Sequence, residues 1–82
     1  RVGNTYAVLT GDYVGEMLTY METKGDDYLF LSMPKMENRI IPKEKFDFAL
    51  ENLIIELIEK IPRKFLRVVE KQFKQNKRRN LV

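Results

Sequence analysis

The chain has 82 residues, 44% of them hydrophobic and 33% charged, with 15 Lys and Arg against 12 Asp and Glu. That length supports one domain, and the absence of Cys and His excludes thiolate nucleophiles, histidine bases, disulfides and the usual zinc ligand sets. No stretch approaches the roughly 18 apolar residues of a membrane-spanning helix. No charged segment followed by an apolar run opens the chain at Arg1, so a cytoplasmic protein without a signal peptide is expected.

From Asn4 to Ile41 the sequence reads as short strands separated by turn formers. Thr5 to Thr10 is rich in β-formers and stops at Gly11-Asp12. A second run spans Val14 to Glu22, with Val14, Leu18 and Tyr20 on one side and Met17, Thr19 and Met21 on the other. Neither side is wholly polar, which suits a small barrel. Lys24-Gly25-Asp26-Asp27 is a turn, and Tyr28 to Met33 alternates aromatic with aliphatic, so the second and third runs form a hairpin. Pro34 ends the third run. Arg39-Ile40-Ile41 is a short fourth strand closed by Pro42, which cannot donate to a ladder.

Beyond Pro42 the period changes. Phe46, Leu50, Leu53, Leu57 and Ile61 recur at +4, +3, +4 and +4, predicting an amphipathic helix over about 47–60 with Asp47 as its N-cap. Pro62 forces the break by disfavouring helical backbone at Ile61. A second helix over about 62–78 follows, with Phe65, Val68, Val69 and Phe73 as its apolar stripe. The expected fold class is α+β, with a small barrel over residues 1–46 and a helical extension over 47–82 that packs on the barrel or on a partner.

Charge divides the chain unevenly. Residues 1–59 hold six basic and eleven acidic side chains, a net of −5, whereas residues 60–82 hold nine basic side chains and one acid, Glu70, a net of +8. Lys60, Lys64, Arg67, Lys71, Lys74 and Arg78 fall at +4, +3, +4, +3 and +4, on one helical face, and Lys77 and Arg79 extend the basic end. Such a helix docks its apolar side on a core while its cations track a row of phosphates. A membrane-surface helix or a calmodulin-type target carries a similar pattern. The chain has no Trp, and the stripe is sized to pack on the preceding helix, so no membrane contact is expected.

The segment from Gly3 to Tyr20, Gly3-Asn4-Thr5-Tyr6-Ala7-Val8-Leu9-Thr10-Gly11-Asp12-Tyr13-Val14-Gly15-Glu16-Met17-Leu18-Thr19-Tyr20, resembles the KOW motif. Gly3, Tyr6, Val8, Gly11, Gly15 and Tyr20 fall in register with its glycine-led strand, glycine turn and second strand. The resemblance covers about residues 3–46. It implies an SH3-like β-barrel, as found in ribosomal proteins and transcription elongation factors, where the barrel contacts RNA, DNA or another protein. Leu18 replaces a third glycine common in the family, and Asp12 stands where a basic residue is frequent.

Independently of the motif, Gly11 permits a left-handed turn residue and Gly15 a bulge, both structural roles. Tyr13, at the tip of that turn, is placed to stack on a base or to fill a partner's pocket. Tyr28 and Phe30 suit core packing better than a stacking platform. Asp26, Asp27 and Glu37 carry oxygens suited to Mg²⁺, but Asp26-Asp27 reads as a solvated turn and no Lys or Glu-x-Lys partner is placed to complete a nuclease site. No P-loop, dinucleotide fingerprint or nucleophile elbow is present. Accordingly, no enzyme, cofactor, metal or small-molecule substrate is expected.

The expectation is a nucleic-acid-binding accessory protein of transcription or nucleoid structure that reads the phosphate backbone with little sequence specificity. Lys60, Lys64, Arg67, Lys71, Lys74, Lys77, Arg78 and Arg79 would supply the affinity, with Tyr13 and Arg39 adding orientation. Duplex DNA is slightly favoured over RNA, because a rigid row of cations suits a regular phosphate lattice and no exposed aromatic series for unstacked bases is evident. The alternative is an adaptor or inhibitor that docks on a transcription or translation component through the barrel or the first helix, or a homodimer, with Ile54, Ile55 and Ile58 at the interface, since the first helix is apolar on more than one face.

Overall fold

The period-two pattern between Asn4 and Pro42 forms four strands, β1 (Asn4–Val8), β2 (Met17–Lys24), β3 (Asp27–Met33) and β4 (Glu37–Pro42), in a computed structural model that describes residues 2–79. A helix, α1 (Lys43–Glu51), a fifth strand, β5 (Ile55–Lys60), and a long helix, α2 (Arg63–Arg79), complete the chain. The strands make one antiparallel sheet in the order β4-β3-β2-β1-β5. The class is α+β, as the sequence predicts.

Alternation along the strands sends side chains to two faces, and each face has its own helix. Toward α1 point Val8, Leu18, Phe30 and Ile55, which pack with Phe46 of α1. Phe30 is fully buried, and Tyr6, Tyr20 and Tyr28 meet it edge to face. Toward α2 point Met21, Leu29 and Leu31, which pack with Val69 and Phe73. The buried hydroxyls of Thr5 and Thr19 satisfy each other at 3.0 Å across β1 and β2. A polar clasp fixes the far end of α2. The Asn76 amide donates to the Met36 carbonyl and to Asn38 Oδ1, and the Asn38 amide donates to the Phe73 carbonyl.

The first predicted helix is corrected at both ends. It starts at Lys43, directly after β4, with Pro42 at the N-cap and no side-chain cap, while Asp47 lies inside it. The Lys43 N–H, the first of the orphan donors at this end, is satisfied by the Asp26 carbonyl at 2.9 Å. The helix stops at Asn52, whose side chain donates to the Phe48 carbonyl, and Leu53 follows with φ +54°. Ile55–Lys60 is then strand, paired antiparallel with β1 through Val8 with Ile55 and Tyr6 with Leu57. The unpaired edge of β1 and the β-branched run Ile54-Ile55 outweigh the helical spacing. Part of the expected helical extension, Ile55–Lys60, is thus a strand of the same sheet as β1–β4.

The second helix lies where the sequence places it, within a residue at each end. Its buried side is turned from the predicted stripe. Val69 and Phe73 are buried and Leu66 is half-buried, whereas Phe65 and Val68 are 55% and 62% exposed.

Candidate nucleic-acid interface

Pro62 leads into α2, and its carbonyl accepts from the N–H groups of Phe65 and Leu66 at 2.9 and 3.1 Å. With Val69 and Phe73 against the sheet, the 100° step of a helix puts Lys64, Arg67, Lys71, Lys74 and Arg78 on the opposite side. All five are exposed. They form a crest about 21 Å long at 1.5 Å per residue. Lys60, the sixth member of the predicted series, is the exposed last residue of β5 and is separated from the helix by Ile61 and Pro62.

Among the described residues the ion pairs are Arg39 with Glu16, Arg39 with Glu37, and Lys77 with Glu22. The crest cations pair with no described carboxylate. Lys77 differs from them, since its Nζ lies 2.8 Å from Glu22 Oε2 and over the Phe73 ring, tying α2 to β2. Arg79 is exposed beside Glu37, Asn38 and Asn76, at the mouth of a shallow cavity of about 310 Å³.

Tyr13 and Arg39 are brought together with each other and not with the crest. The Arg39 guanidinium sits 5.1 Å from the Tyr13 ring centroid and donates to both Glu16 carboxylate oxygens, through Nε at 3.3 Å and Nη2 at 3.2 Å. Ser32 donates its hydroxyl to the same carboxylate. Arg39 stands opposite Phe30 in the register, on the α1 side of the sheet. Burial pushes the Glu16 carboxyl up, but hydrogen bonds from Arg39 and Ser32 and the charges of Arg39 and Lys35 hold it below the usual carboxylate range. The bond to Glu16 raises Arg39 further. Arg39 is thus committed to its own carboxylates, while Tyr13 remains 57% exposed. Gly11 and Gly15 carry positive φ, +96° and +92°, in the turn that supports Tyr13.

The residues expected at a partner interface separate. Ile55 is 5% exposed and part of the core, Ile54 is half-buried against it, and Ile58 is 44% exposed. Ile55 is therefore withdrawn as an interface residue, because its pairing with Val8 turns it inward. On the same side of the sheet Tyr6, Tyr20, Tyr28 and Phe46 line a cavity of about 390 Å³ with Lys43 and Asp47.

Phe65 and Val68 are the residues that sequence reading misses. Exposed beside the crest, they line a groove of about 450 Å³ between α2 and the sheet, with Met17, Met33, Ile61 and Pro62. The available signal is Leu66, which with Val69 and Phe73 makes a complete +3, +4 stripe without them. No helix is long and apolar enough to cross a membrane among the described residues. Comparison with known proteins returned no match to a family model, a curated protein or a solved structure.

Proposed function

We propose that this protein binds nucleic acid through the phosphate backbone, with the crest of α2 as the contact and little sequence specificity. One observation carries the reading. Five exposed cations stand on the side of α2 opposite its buried residues, unpaired by any described carboxylate, while residues 1–59 carry a net charge of −5. A field so divided turns one side of the molecule toward a polyanion and the rest away. The strand order, with β1 between β2 and β5, and the positive φ of Gly11 and Gly15 support reading the sheet as an SH3-like barrel of KOW type. An accessory role on transcribed or compacted nucleic acid follows from low-specificity backbone binding.

The test is anisotropy of a labelled random duplex and of its single strand at 50 and 200 mM salt. With four to six phosphates neutralised on duplex, the slope of log K against log salt is about −4 to −5. A slope near zero overturns the reading. An adaptor that docks a protein is the second reading, favoured by Leu53, Leu57 and Ile58, which are 71%, 53% and 44% exposed around β5. A mass that rises with concentration, and falls back on Leu53→Ser with Ile58→Ser, would favour self-association through that surface.

A further inference from the structure

We infer that the polymer held by α2 is single-stranded, with one unstacked base lying against Phe65 in the groove between α2 and the sheet. The inference rests on the nucleic-acid reading above and adds the class of polymer. The sequence-based preference for duplex rests on the regular row of cations and on the lack of an exposed aromatic series, and Phe65, at 55% exposure, removes the second ground.

Three features of the groove point to a base. Its walls are apolar and open, since Met17 and Met33 face each other across β2 and β3 while Phe65 and Val68 of α2 stand over Ile61 and Pro62. Its outer edge is the cationic crest. Val68 follows Lys64 by four residues and precedes Lys71 by three, which makes both its neighbours on the helix surface, and Lys64 Nζ lies 5.3 Å from the Phe65 centroid. Its remaining charged wall is Glu59, a carboxylate that repels phosphate and accepts a hydrogen bond from an amino group of a base.

Backbone is thereby left on the crest and a base is admitted to the groove. This pairing of a cationic track with an aromatic face is what retains single strands without sequence readout. The two methionines adapt their shape to a purine or a pyrimidine alike. A duplex keeps its bases stacked inside and engages the crest alone.

The experiment compares a labelled mixed-sequence DNA 12-mer, the same strand annealed to its complement, and an abasic 12-mer, all at 50 mM salt. The wild-type chain is expected to bind the natural single strand more tightly than the duplex or the abasic strand. Phe65→Ala should weaken the single strand at least about fivefold and leave duplex and abasic binding within about twofold. Phe65→Trp introduces an indole into a chain that has none. It should keep single-strand affinity, with an emission quenched by the natural strand and not by the abasic one. The base site is overturned if the natural and abasic strands bind equally, if Phe65→Ala binds the natural strand like wild type, or if the indole emission of the Phe65→Trp variant is unmoved. In those cases, an about 100-fold weakening of binding in the Lys64→Glu, Lys71→Glu double variant leaves the backbone reading standing by itself. No binding of wild type to any of the three polymers overturns both.

Discussion

On one face of the sheet α1 brings Phe46 to an aromatic cluster around Phe30, with Ala49 and Leu50 beside it, and carries Glu44, Asp47 and Glu51 against Lys43 and Lys45. On the other face α2 buries Val69 and Phe73 where α1 buries Phe46 alone, leaves Phe65 and Val68 outside as α1 leaves Phe48, and carries eight cations against one acid, Glu70. The short helix is nearly balanced in charge and closes a core. The long helix extends well beyond what its docking uses, and that excess is basic along the crest and apolar along one flank. Two helices on one sheet can therefore differ in kind: α1 closes a core, whereas α2 closes a core and carries a charged surface besides.

The largest effects are expected from truncating the two cores. Phe30→Ala should cost about 4 kcal/mol, the upper part of the range for a buried aromatic, and leave a domain of this size close to unfolding. Phe73→Ala should cost about 3 kcal/mol and loosen α2 first, because the clasp through Asn38 and Asn76 spans the same turn of helix. Urea denaturation followed at the tyrosines and by far-UV dichroism separates the two losses.

Charge reversal sharpens the contrast on the surface. Lys64→Glu with Lys71→Glu should weaken nucleic-acid binding about 100-fold at low salt without moving the melting temperature, since both side chains are exposed. Glu44→Lys with Glu51→Lys on α1 should change affinity less than about threefold. Equal effects from both pairs would mean that net charge, rather than the α2 crest, governs binding.

A smaller effect concerns the Glu16 network. Because the Glu16 carboxyl titrates below its ordinary value, its contribution is present above the unfolded carboxylate range, about 4.3, and is lost as pH falls through the lower folded value. Glu16→Gln should cost about 1 kcal/mol at neutral pH and flatten the acid limb of a stability curve. Nucleic-acid affinity should not follow, since Glu16 and Arg39 lie on the α1 side of the sheet, away from the α2 crest.

The last effect has the opposite sign. Leu53 holds φ +54° and is 71% exposed, so Leu53→Gly should raise stability by up to about 1 kcal/mol by removing the left-handed penalty. A fall in melting temperature would show that the Leu53 side chain is stabilising despite its exposure.

Much of this arrangement is legible in the residues. The strands up to Pro42, the hairpin at Gly25 and the second helix follow from period, turn chemistry and proline. What misleads is the stretch Leu50-Leu53-Leu57, whose helical spacing is genuine but whose outcome depends on β1 having an edge to pair, a long-range fact that no local pattern encodes. The same limit governs Phe65 and Val68. Phe65, Leu66, Val68, Val69 and Phe73 are more apolar side chains than this helix buries, and only the sheet decides which ones turn inward. The cations of α2 are legible because solvated charge needs no partner to stay outside. The fate of Arg39 is not, because its partner Glu16 is 23 residues away in sequence.

The central claim is that the crest of α2 is where nucleic acid meets this protein. Amide chemical-shift mapping by ¹⁵N NMR during titration with a mixed-sequence 12-mer tests it most directly. Shifts should gather along α2 from Lys64 to Arg78, reaching Met17 and Met33 for the single strand only. Shifts centred on Tyr13 and Arg39, or on Leu53 to Ile58, with α2 silent, would contradict it.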